Sequence, residues 1–306
     1  METASEPVKR LIVLGAGGRL GAALARSFSS EYEVVGFNRG QLDLGSPKAV
    51  ADALEPACFD ALINCAALTN VDYCETHEEE AMRINAHAVG QLASICARKK
   101  ARLIHIGTDY VFDGHKATPY TEEDPANPIS VYGQSKRQGE IAMLEANPKA
   151  LGVRVSWVFG PDRPSFIDAI LKRARESGQV EAIADKFSAP TSSLDMAQWL
   201  SPLLLNWEAT GILHLCNHGE CSWRDYGEFA IRCAIEEGIA MKTDCVAPLK
   251  IADMTAFVAK RPVYTVLSTD RFTRQTGIIP RTWQEAVQDY VKNQCPFLRS
   301  PNASCS

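Results

Sequence analysis

The sequence predicts an α/β fold, a doubly wound parallel sheet with a smaller, partly helical C-terminal region. Three observations support this prediction. Short apolar runs of strand length alternate with segments of helical composition, which is the pattern of βαβ units. A glycine-rich turn separates the first of these strands from the first helix. Small or hydroxyl-bearing residues follow several strands, at the edge where parallel sheets bind ligands.

The composition is that of an ordinary globular protein. The chain has 306 residues, of which 46% are hydrophobic and 23% charged, enough for one large domain or two smaller ones. The formal net charge of -5 argues against nucleic acid or an anionic membrane as a general partner. Residues 1–9 are polar and no apolar run has transmembrane length, so we expect a cytoplasmic protein.

The cysteines and histidines do not predict a metal site. The 10 cysteines are scattered without a Cys-x-x-Cys pair, mostly in apolar surroundings. Buried free thiols in a reducing compartment are therefore expected, instead of a disulfide framework or a zinc site. None of the 6 histidines has metal-ligand spacing. His105 alternates with apolar neighbours on a predicted strand, which favours a satisfied core residue over a catalyst.

The first elements predict a site for a dinucleotide. Residues 10–14 form a short apolar strand, residues 15–21 (GAGGRLG) a glycine-rich turn, and residues 22–28 a helical segment. Such a turn lets backbone N–H groups approach a pyrophosphate at the positive end of a helix, as in Rossmann-like folds. The spacing of its glycines departs from the G-x-G-x-x-G fingerprint. A merely flexible turn is the alternative, which its place between strand and helix disfavours.

The second strand, residues 32–37, bears on the choice of cofactor. It ends at Asn38 and Arg39 instead of the acidic residue that would hold the ribose 2′-hydroxyl of NAD. A guanidinium binds phosphate in a bidentate manner, so Arg39 could pair with the 2′-phosphate of NADPH. The sequence therefore favours NADPH, with NADH as the second choice and a solvated loop arginine as the alternative role of Arg39.

Strands and helices continue to alternate. Ala66 and Ala67, at the end of the third strand, are small enough for a flat ligand to approach closely, and Trp157 ends a later strand. The predicted elements are a helix over 47–54, a strand over 60–67, an amphipathic helix carrying Asn85 over 78–99, and strands over 102–106 and 151–157.

The chemistry lies after the strand at 102–106 and on the helix that opens at Val131. Tyr132 and Lys136 are four residues apart, so they share one helix face at about 5–6 Å between Cβ atoms. A nearby cation lowers the pKa of a phenol, which makes Tyr132 a usable acid or base. If Thr108 also points into the site, both hydroxyls can hydrogen-bond a carbonyl oxygen as charge develops on it. This is chemistry for reducing a ketone or oxidising an alcohol, although Tyr-x-x-x-Lys also occurs by chance on amphipathic helices.

Beyond about residue 160 the alternation loosens. Helices are predicted over 165–177, 194–205, 223–236 and 282–292, with a short strand at 180–183 and a loop at 185–191. We therefore expect residues 1–160 to form a dinucleotide-binding domain. Residues 161–306 would form a substrate-binding region, interleaved with the first at the sheet edge.

Several motifs, spread over nearly the whole chain, resemble one family. The run Thr-Asp-Tyr-Val-Phe-Asp-Gly at 108–114 is particular to it. The other motifs are the glycine turn at 15–21, residues 64–72, Tyr-Gly-Gln-Ser-Lys at 132–136, and residues 154–160, 188–191 and 261–262. With these motifs the sequence resembles the dTDP-4-dehydrorhamnose reductase family, a branch of the extended short-chain dehydrogenases/reductases.

The resemblance implies roles for individual residues. Tyr132 would donate a proton, Lys136 would lower its pKa and hold the nicotinamide ribose, and Thr108 would hydrogen-bond the 4-keto oxygen. The implied substrate-binding residues are Val71, Thr108, Tyr110, Tyr132 and Trp157. The implied cofactor-binding residues are Gly15, Gly18, Arg19, Leu20, Gly21, Arg39, Asp43, Leu44, Ala66, Ala67, Asn85, Tyr132 and Lys136.

The implied reaction is NADPH-dependent reduction at C4 of a nucleotide-linked keto sugar. The first choice of substrate is dTDP-4-dehydro-L-rhamnose, giving dTDP-L-rhamnose. Another 4-keto-6-deoxy sugar nucleotide is the alternative among enzymes. A non-catalytic NADP-binding subunit is the alternative outside them, since a relative with this fold is the regulatory partner of methionine adenosyltransferase. The protein would be a monomer or a homodimer.

Three positions depart from the family pattern. Gly107 replaces a serine, which costs one hydrogen bond near the site without removing the hydroxyl of Thr108. Ser165 stands where an asparagine is common, at the nucleotide end of the substrate. Ala23 stands where some relatives have a glutamate that binds magnesium at a dimer contact, so neither that metal nor that dimer is expected.

Overall fold

A computed structural model of the chain describes residues 8–295. Its strands in this range are β1 Arg10–Leu14, β2 Glu33–Phe37, β3 Ala61–Asn64, β4 Arg102–Ile106, β5 Leu151–Arg154, β6 Val158–Phe159, β7 Glu181–Ile183, β8 Phe187–Ser188, β9 Thr191–Ser192, β10 Gly211–His214, β11 Cys221–Ser222 and β12 Ala247–Leu249. Its α-helices are α1 Arg19–Phe28, α2 Pro47–Leu54, α3 Val71–Thr76, α4 Glu78–Met82, α5 Ala88–Lys99, α6 Val131–Ala146, α7 Phe166–Glu176, α8 Ser193–Leu205, α9 Trp223–Glu236, α10 Asp270–Thr276 and α11 Trp283–Asp289. The same range contains 3₁₀ turns at Asp109–Val111 and Ile251–Asp253 and π-helical segments at Arg83–His87 and Tyr290–Gln294.

Six strands form the central sheet of the described residues, in the order β2-β1-β3-β4-β5-β10. All neighbouring strands in it run parallel. β2 lies on one side of β1 and β3 on the other, so the sheet is doubly wound and its switch point lies between β1 and β3. The predicted doubly wound parallel sheet is confirmed. The sixth strand, β10, was not predicted and comes from well beyond residue 160.

Side chains that alternate along β1 pack against helices on opposite faces of the sheet. Leu11 and Val13 belong to one buried cluster with residues of α1 and α8. Ile12 and Leu14 belong to another with residues of α2 and α5. Because both faces are covered by helices, the strand is apolar at each of these positions, which is why it reads as a continuous apolar run.

A second core lies in the C-terminal half, where α7, α9 and α11 pack together. Ile170, Ile231 and Val287, one from each helix, are buried in it. α9 has the bounds that were predicted for it. The helix predicted over 282–292 consists of α11 and the π-helical segment that follows it. This half therefore has a core of its own, distinct from the two layers that cover the sheet.

The long helix predicted over 78–99 contains a π-helical segment. α4, the segment Arg83–His87 and α5 follow one another without a break, and Asn85 lies in the wider π turn. Gly139 of α6 packs directly against it, because a Cβ at that position would lie only 2.1 Å from the carbonyl oxygen of Asn85. This close contact brings α6 beside Asn85.

Two predicted strands are shorter in the structure. The strand predicted over 60–67 ends at Asn64, and the strand predicted over 151–157 ends at Arg154. Trp157 therefore lies in a loop after β5, with φ of 39°, and not at the end of the strand. No element was predicted for α3, which begins after Asn70 as its N-cap. Because these two strands end early, more irregular backbone lies at the carboxyl edge of the sheet.

No helix within residues 8–295 has the length and apolarity needed to cross a bilayer. The nine cysteines in the same range form no disulfide, and six of them are buried. Cys305 lies outside the described residues. A group of three or more histidine, cysteine or acidic side chains that could hold a metal ion does not occur in the part of the chain that the structure describes.

Candidate active site

A cleft of about 830 Å³ lies at the carboxyl edge of the central sheet. Every predicted site residue except Gly21 and Asn85 lines it. The predicted residues in its lining are Gly15, Gly18, Arg19, Leu20, Arg39, Asp43, Leu44, Ala66, Ala67, Val71, Thr108, Tyr110, Tyr132, Lys136 and Trp157. Residues so distant in sequence meet because parallel strands all end on the same edge of the sheet.

The glycine turn is shaped by close backbone contacts. The N–H groups of Gly15 and Ala16 donate to the carbonyl oxygen of Phe37 at 2.8 and 3.0 Å, which ties the turn to the end of β2. Gly15 has φ of 77°, and a Cβ on Gly21 would lie 2.2 Å from the Gly15 carbonyl oxygen. Gly21 is therefore needed for the approach of α1 to the turn, although it does not line the cleft.

The first turn of α1 faces the cleft. Its N-cap, Gly18, has no side chain to bond the free N–H groups of the helix. Gly18 and Leu20 both line the cleft, so the positive end of the helix dipole is available to an anionic group. This is the arrangement that binds pyrophosphate in Rossmann-like folds.

Arg19 and Arg163 hold a loop over the glycine turn. The Arg19 guanidinium donates to the carbonyl oxygens of Val158, Arg163 and Pro164. Arg163 Nε donates to the carbonyl oxygen of Gly17 at 2.9 Å. Arg19 therefore lies in the cleft wall, but its charged group is engaged by the protein itself. Arg163 was not predicted, because no sequence pattern shows that the loop after β6 folds back onto the first turn.

Arg39 lies at the rim of the cleft. Its side chain is 77% exposed, and its guanidinium is 3.5 Å from the carboxylate of Glu80. Asn38, which precedes it, accepts a hydrogen bond from the N–H of Gly40 at 2.9 Å. Directly after β2 the chain thus presents an amide and an arginine to the cleft, and not a carboxylate.

Asn85 braces the cleft wall from behind. Its Oδ1 accepts from the N–H of Leu68 at 2.8 Å, and its Nδ2 donates to the Leu68 carbonyl oxygen at 3.0 Å. Nδ2 also donates to the hydroxyl of Ser135 on α6 at 3.0 Å. Asn85 thereby fixes the segment that contains Ala66 and Ala67 against α6, as a positioning residue outside the cleft surface.

Thr108 and Tyr132 meet at the floor of the cleft. Gly133 packs so closely on the 3₁₀ turn that a Cβ there would lie 2.2 Å from the Tyr110 carbonyl oxygen. The Thr108 hydroxyl caps that turn, accepting from the N–H of Tyr110 and donating to Asp109 Oδ1, each at 3.2 Å. The Thr108 hydroxyl also lies close enough to the phenol of Tyr132 to lower the pKa of that group. Two hydroxyl groups therefore converge on one point of the cleft.

Burial raises the pKa of Tyr132 above its ordinary value, and the hydrogen bond from Thr108 only partly offsets this. The resemblance implied the opposite direction, a pKa lowered by Lys136. Desolvation of the phenol has the larger effect in this structure, and the role expected of Lys136 stays a prediction. The raised pKa keeps Tyr132 protonated at neutral pH, which is the form that can give a proton to a substrate oxygen.

Lys136 is buried at the cleft floor. Its Nζ donates to the carbonyl oxygen of Ile106 at 2.7 Å and lies 3.1 Å from Nε2 of His105. Burial lowers the pKa of Lys136 to about 8, against the attraction of Glu140 and of the Cys65 sulfur. His105, which the sequence assigned to the core, thus contacts a predicted catalytic residue.

Tyr110 and Trp157 flank a buried lysine at the substrate side of the cleft. Nζ of Lys186 lies 5.0 Å from the ring centre of Tyr110 and 5.9 Å from that of Trp157. It donates to the carbonyl oxygen of Pro262 at 2.6 Å. Burial lowers the pKa of Lys186 to about 8, while Asp109 opposes the shift. Lys186 was not predicted, because a single lysine in a loop gives no sign that it is buried.

An ion pair ties α3 to the C-terminal half. Arg261 binds both carboxylate oxygens of Asp72, at 3.0 and 2.7 Å. Asp72 also accepts from the N–H groups of Val258 and Ala259 at 2.9 Å. These bonds, with Arg261 contributing most, lower the pKa of Asp72 to about 2. The contact holds Val71, the neighbouring residue on α3, in the cleft wall.

A smaller cavity of about 130 Å³ adjoins the cleft and shares Arg19, Trp157 and Val158 with it. Its other walls are mainly aromatic and consist of Phe159, Ser165, Phe166, Trp223 and Tyr226. Among the described residues, Trp157 Nε1 and the Tyr226 hydroxyl are buried there without a hydrogen-bond partner. Aromatic faces with unpaired polar atoms suit a planar ligand that carries its own donors and acceptors.

The family model of the RmlD substrate binding domain matches residues 9–295. The chain belongs to this family. The resemblance drawn from the sequence motifs is therefore confirmed, since the relatives of this chain include several dTDP-4-dehydrorhamnose reductases. The match covers both the sheet and the C-terminal half.

Individual relatives are similar over nearly their full length. A dTDP-4-dehydrorhamnose reductase of Mycolicibacterium smegmatis is 37% identical over 287 residues, which cover 92% of this chain and 85% of the relative. A probable dTDP-4,6-dihydroxy-2-methyloxan-3-one 4-ketoreductase of Streptomyces antibioticus is 34% identical over 283 residues, covering 92% and 94%. The structure of dTDP-4-dehydrorhamnose reductase from Bacillus anthracis in complex with NADP is similar with a TM-score of 0.86 at 28% identity, covering 92% of this chain and 98% of that one.

Proposed function

We propose that this protein is an NADPH-dependent reductase of the 4-keto group of a dTDP-linked deoxysugar. One observation carries the proposal. Thr108, Tyr132 and Lys136 all line the cleft that also contains the glycine turn. The relatives named as dTDP-4-dehydrorhamnose reductases and as a 4-ketoreductase support the same reaction.

The bound cofactor supplies the hydride, and the protein positions it. The free N–H groups at the start of α1 would hold the pyrophosphate. Ala66 and Ala67, braced by Asn85, would let the nicotinamide half approach the wall closely. Lys136 would hold the nicotinamide ribose. The uncapped helix end at Gly18 fits such a group, because its donors have no side-chain partner.

Arg39 supports NADPH over NADH. Its long contact with Glu80, 3.5 Å, leaves an exposed guanidinium at the rim that can bind a 2′-phosphate. Asn38 stands where an acidic residue would repel that phosphate. The related structure from Bacillus anthracis contains NADP, which is consistent with this choice.

Tyr132 donates the proton in this mechanism. Hydride addition at C4 leaves negative charge on the keto oxygen, and the buried, protonated phenol neutralises it. Thr108 is a second donor to the same oxygen. Its single hydrogen, which bonds Asp109 Oδ1 at 3.2 Å, would turn to the substrate oxygen when the keto sugar binds. The charge of Lys136 stabilises the phenolate that remains on Tyr132.

The most specific form of the proposal is reduction of dTDP-4-dehydro-L-rhamnose to dTDP-L-rhamnose. Val71, Tyr110 and Trp157 would line the sugar site, and the adjoining aromatic cavity would take the nucleotide end. Residues 1–160 would bind the cofactor and line the sugar site, and residues 161–306 would select the substrate through Phe166, Trp223 and Tyr226 of that cavity. Another 4-keto-6-deoxy sugar is the alternative, because the Streptomyces antibioticus relative is named for a different sugar.

A non-catalytic regulatory subunit is not supported, because such a role does not require these three side chains to meet. We further propose a cytoplasmic monomer or homodimer that binds neither nucleic acid nor membrane. The net charge of -5 and the 10 cysteines without a pairing motif support that assignment.

The test is oxidation of NADPH by the purified protein, given dTDP-4-dehydrorhamnose made in place by the upstream enzymes. Tyr132→Phe removes the proton donor, so turnover should fall by about 10²-fold or more while NADPH still binds. Tyr120→Phe is the matched control, since Tyr120 is also buried but its hydroxyl bonds Asp113 away from the cleft. Turnover should be retained in that control.

Two outcomes would count against the assignment. Equal turnover in Tyr132→Phe and Tyr120→Phe would refute the role of the phenol as proton donor. A wild-type protein that binds NADPH but does not oxidise it would point to another keto sugar or to the regulatory role.

A further inference from the structure

Three buried polar side chains form a row beneath the cleft floor. Nδ2 of Asn64, at the end of β3, lies 3.1 Å from Nδ1 of His105 on β4. Nε2 of His105 lies 3.1 Å from Nζ of Lys136 on α6. None of the three is more than 2% exposed, so each depends on these neighbours for its hydrogen bonds.

The direction of the row is fixed at Asn64. Its Oδ1 accepts from the N–H of Ala66 at 3.1 Å. A backbone N–H can only donate, so this contact determines which atom of the amide faces Ala66 and which faces His105. The atom that faces His105 is the amide nitrogen, which also only donates. Nδ1 of His105 must therefore be the acceptor.

It follows that neutral His105 carries its proton on Nε2. The ring is neutral because burial holds the pKa of His105 well below its ordinary value. The Nε2–H group consequently points at Nζ of Lys136. His105 acts as a donor toward the lysine.

A charged Lys136 would place two donors face to face, because an ammonium has three N–H groups and no lone pair. An uncharged amine removes this conflict. Its lone pair accepts from Nε2–H of His105, while one of its own hydrogens still reaches the Ile106 carbonyl oxygen at 2.7 Å.

We propose that Asn64 and His105 are positioning residues that stabilise the uncharged amine of Lys136 and thereby set the pH above which turnover falls. The catalytic part of this inference rests on the proposed reductase function, which uses the charged form of Lys136 beside Tyr132. His105 does not line the cleft, so it acts through Lys136 and not on the substrate. Lys136 becomes a group that changes its charge near neutral pH.

The other ionisable groups around Lys136 do not have this effect. Glu140, one helical turn away, attracts the ammonium, although both of its oxygens are bound by Arg154 at 2.8 Å. The Cys65 thiol, after β3, is neutral because burial raises its pKa to about 12. Tyr132 is protonated as well. Burial lowers the pKa of Lys136 to about 8, and the row would act in the same direction.

The tautomer of His105 can be measured directly in protein labelled with ¹⁵N-histidine, by long-range ¹⁵N–¹H correlation spectra. We expect the neutral Nε2–H form from about pH 6 to about pH 9. His214 is an internal reference, because it is also buried and its pKa is lowered to about 3, yet its Nδ1 faces the Tyr120 carbonyl oxygen at 3.1 Å. A carbonyl only accepts, so His214 should show the opposite tautomer, Nδ1–H.

His105→Gln and His214→Gln assign the two signals by their loss. An Nδ1–H pattern for His105 would overturn the proposal. This measurement does not depend on turnover, so it separates a failure of the hydrogen-bonded row from a failure of the reductase function.

Asn64→Asp reverses the row with little change in shape. One carboxylate oxygen still accepts from the Ala66 N–H, and the other accepts from Nδ1 of His105, which frees Nε2 to accept from the ammonium. His105 should switch to Nδ1–H, and the alkaline limb of the kcat profile should move up by about one pH unit or more. His105→Gln should move it in the same direction without a new charge, since its amide oxygen can accept from Lys136.

The proposal would be overturned if Asn64→Asp and His105→Gln both lowered kcat equally at every pH and left the alkaline limb of the kcat profile in place. Asn64 and His105 would then be only structural. NADPH binding and circular dichroism identify a variant that does not fold, and the other variant then decides. If the wild type shows the expected tautomer but no turnover, the reductase function fails and the assignment of the row stands.

Discussion

Replacing Glu140 by glutamine should destabilise the fold strongly. Both of its carboxylate oxygens bind Arg154, through Nε and Nη2 at 2.8 Å, and Arg137 adds a contact at 3.0 Å. Glu140 is 0% exposed and Arg154 2%. In Glu140→Gln the Arg154 guanidinium keeps one acceptor but loses its charge partner in a place that water does not reach.

Removing one partner of a buried ion pair costs about 3–5 kcal/mol, because the other charge is left uncompensated. Because an amide oxygen remains in Glu140→Gln, we expect a loss of stability at the lower end of this range, about 3 kcal/mol. Urea unfolding at neutral pH would show this as a lower midpoint with an unchanged slope.

The matched control is Glu55→Gln, because the pair of Glu55 with Arg98 is exposed, with side chains 45% and 58% accessible. Exposed pairs contribute below about 1 kcal/mol. Equal losses of stability in Glu140→Gln and Glu55→Gln would refute the argument from burial.

Glu140→Gln also tests the charge of Lys136. Glu140 attracts the Lys136 ammonium and so raises its pKa. Without it the pKa of Lys136 falls further, the charge is lost at lower pH, and the alkaline limb of kcat should move down. Substitutions of Asn64 and His105 should move the limb up. A limb that stays in place in Glu140→Gln would mean that Lys136 is not the titrating group.

Three further substitutions test the cofactor site and the contact of α3. Gly21→Ala should weaken NADPH binding by about tenfold or more, since its Cβ would lie 2.2 Å from the Gly15 carbonyl oxygen and displace α1; a fluorescence titration measures this. Arg39→Ala should raise the KM for NADPH by about tenfold but leave the KM for NADH nearly unchanged, because only the phosphate contact is lost. Asp72→Asn should lower the free energy of unfolding by about 1 kcal/mol, after allowance for solvent screening. Arg261 lowers the pKa of Asp72 in the folded protein to about 2. The loss of stability should therefore be complete above the pKa of Asp72 in the unfolded chain and should shrink as the pH falls toward the pKa in the folded protein. Urea unfolding at several pH values measures this dependence.

These substitutions have controls in the same chain. Gly178→Ala adds a methyl group 3.9 Å from its nearest neighbour, the Lys242 carbonyl oxygen, so NADPH binding should not change. Lys48→Ala removes an exposed cation that pairs with Asp52, and the KM for NADPH should not change. Equal weakening in both glycine variants would contradict the account of the turn. Equal rises of KM for NADPH and NADH in Arg39→Ala would contradict the phosphate contact, and a loss in Asp72→Asn that is the same at every pH would contradict the ion pair.

The central sheet could be predicted because its strands are buried on both faces. β1 is apolar at every position from Leu11 to Leu14, and the glycine turn after it marks where the strand ends. β10 could not be predicted in the same way, because it has four residues and pairs with β5, which is distant in sequence. Its place depends on a contact between remote segments and not on its own pattern.

The candidate site likewise contains residues that could be predicted from the sequence and residues that could not. Tyr132 and Lys136 could be predicted, because helix geometry alone places residues four apart on one face. The direction of the Tyr132 pKa shift could not, because spacing indicates a nearby cation but not the extent of desolvation. Lys186 and Arg163 were missed for a related reason, since their partners come from distant loops.

Arg154 and Lys136 are two buried basic side chains whose partners give them different properties. Arg154 faces a carboxylate, Glu140, so its charge is stabilised. In the proposed row Lys136 faces a donor, His105, so its charge is opposed. Burial penalises the charge of Lys136, and a donor as its neighbour offers no compensating acceptor. In the proposed mechanism Tyr132 gives up a proton in each turnover and must regain one, and a charged neighbour that can release its proton near neutral pH could supply it.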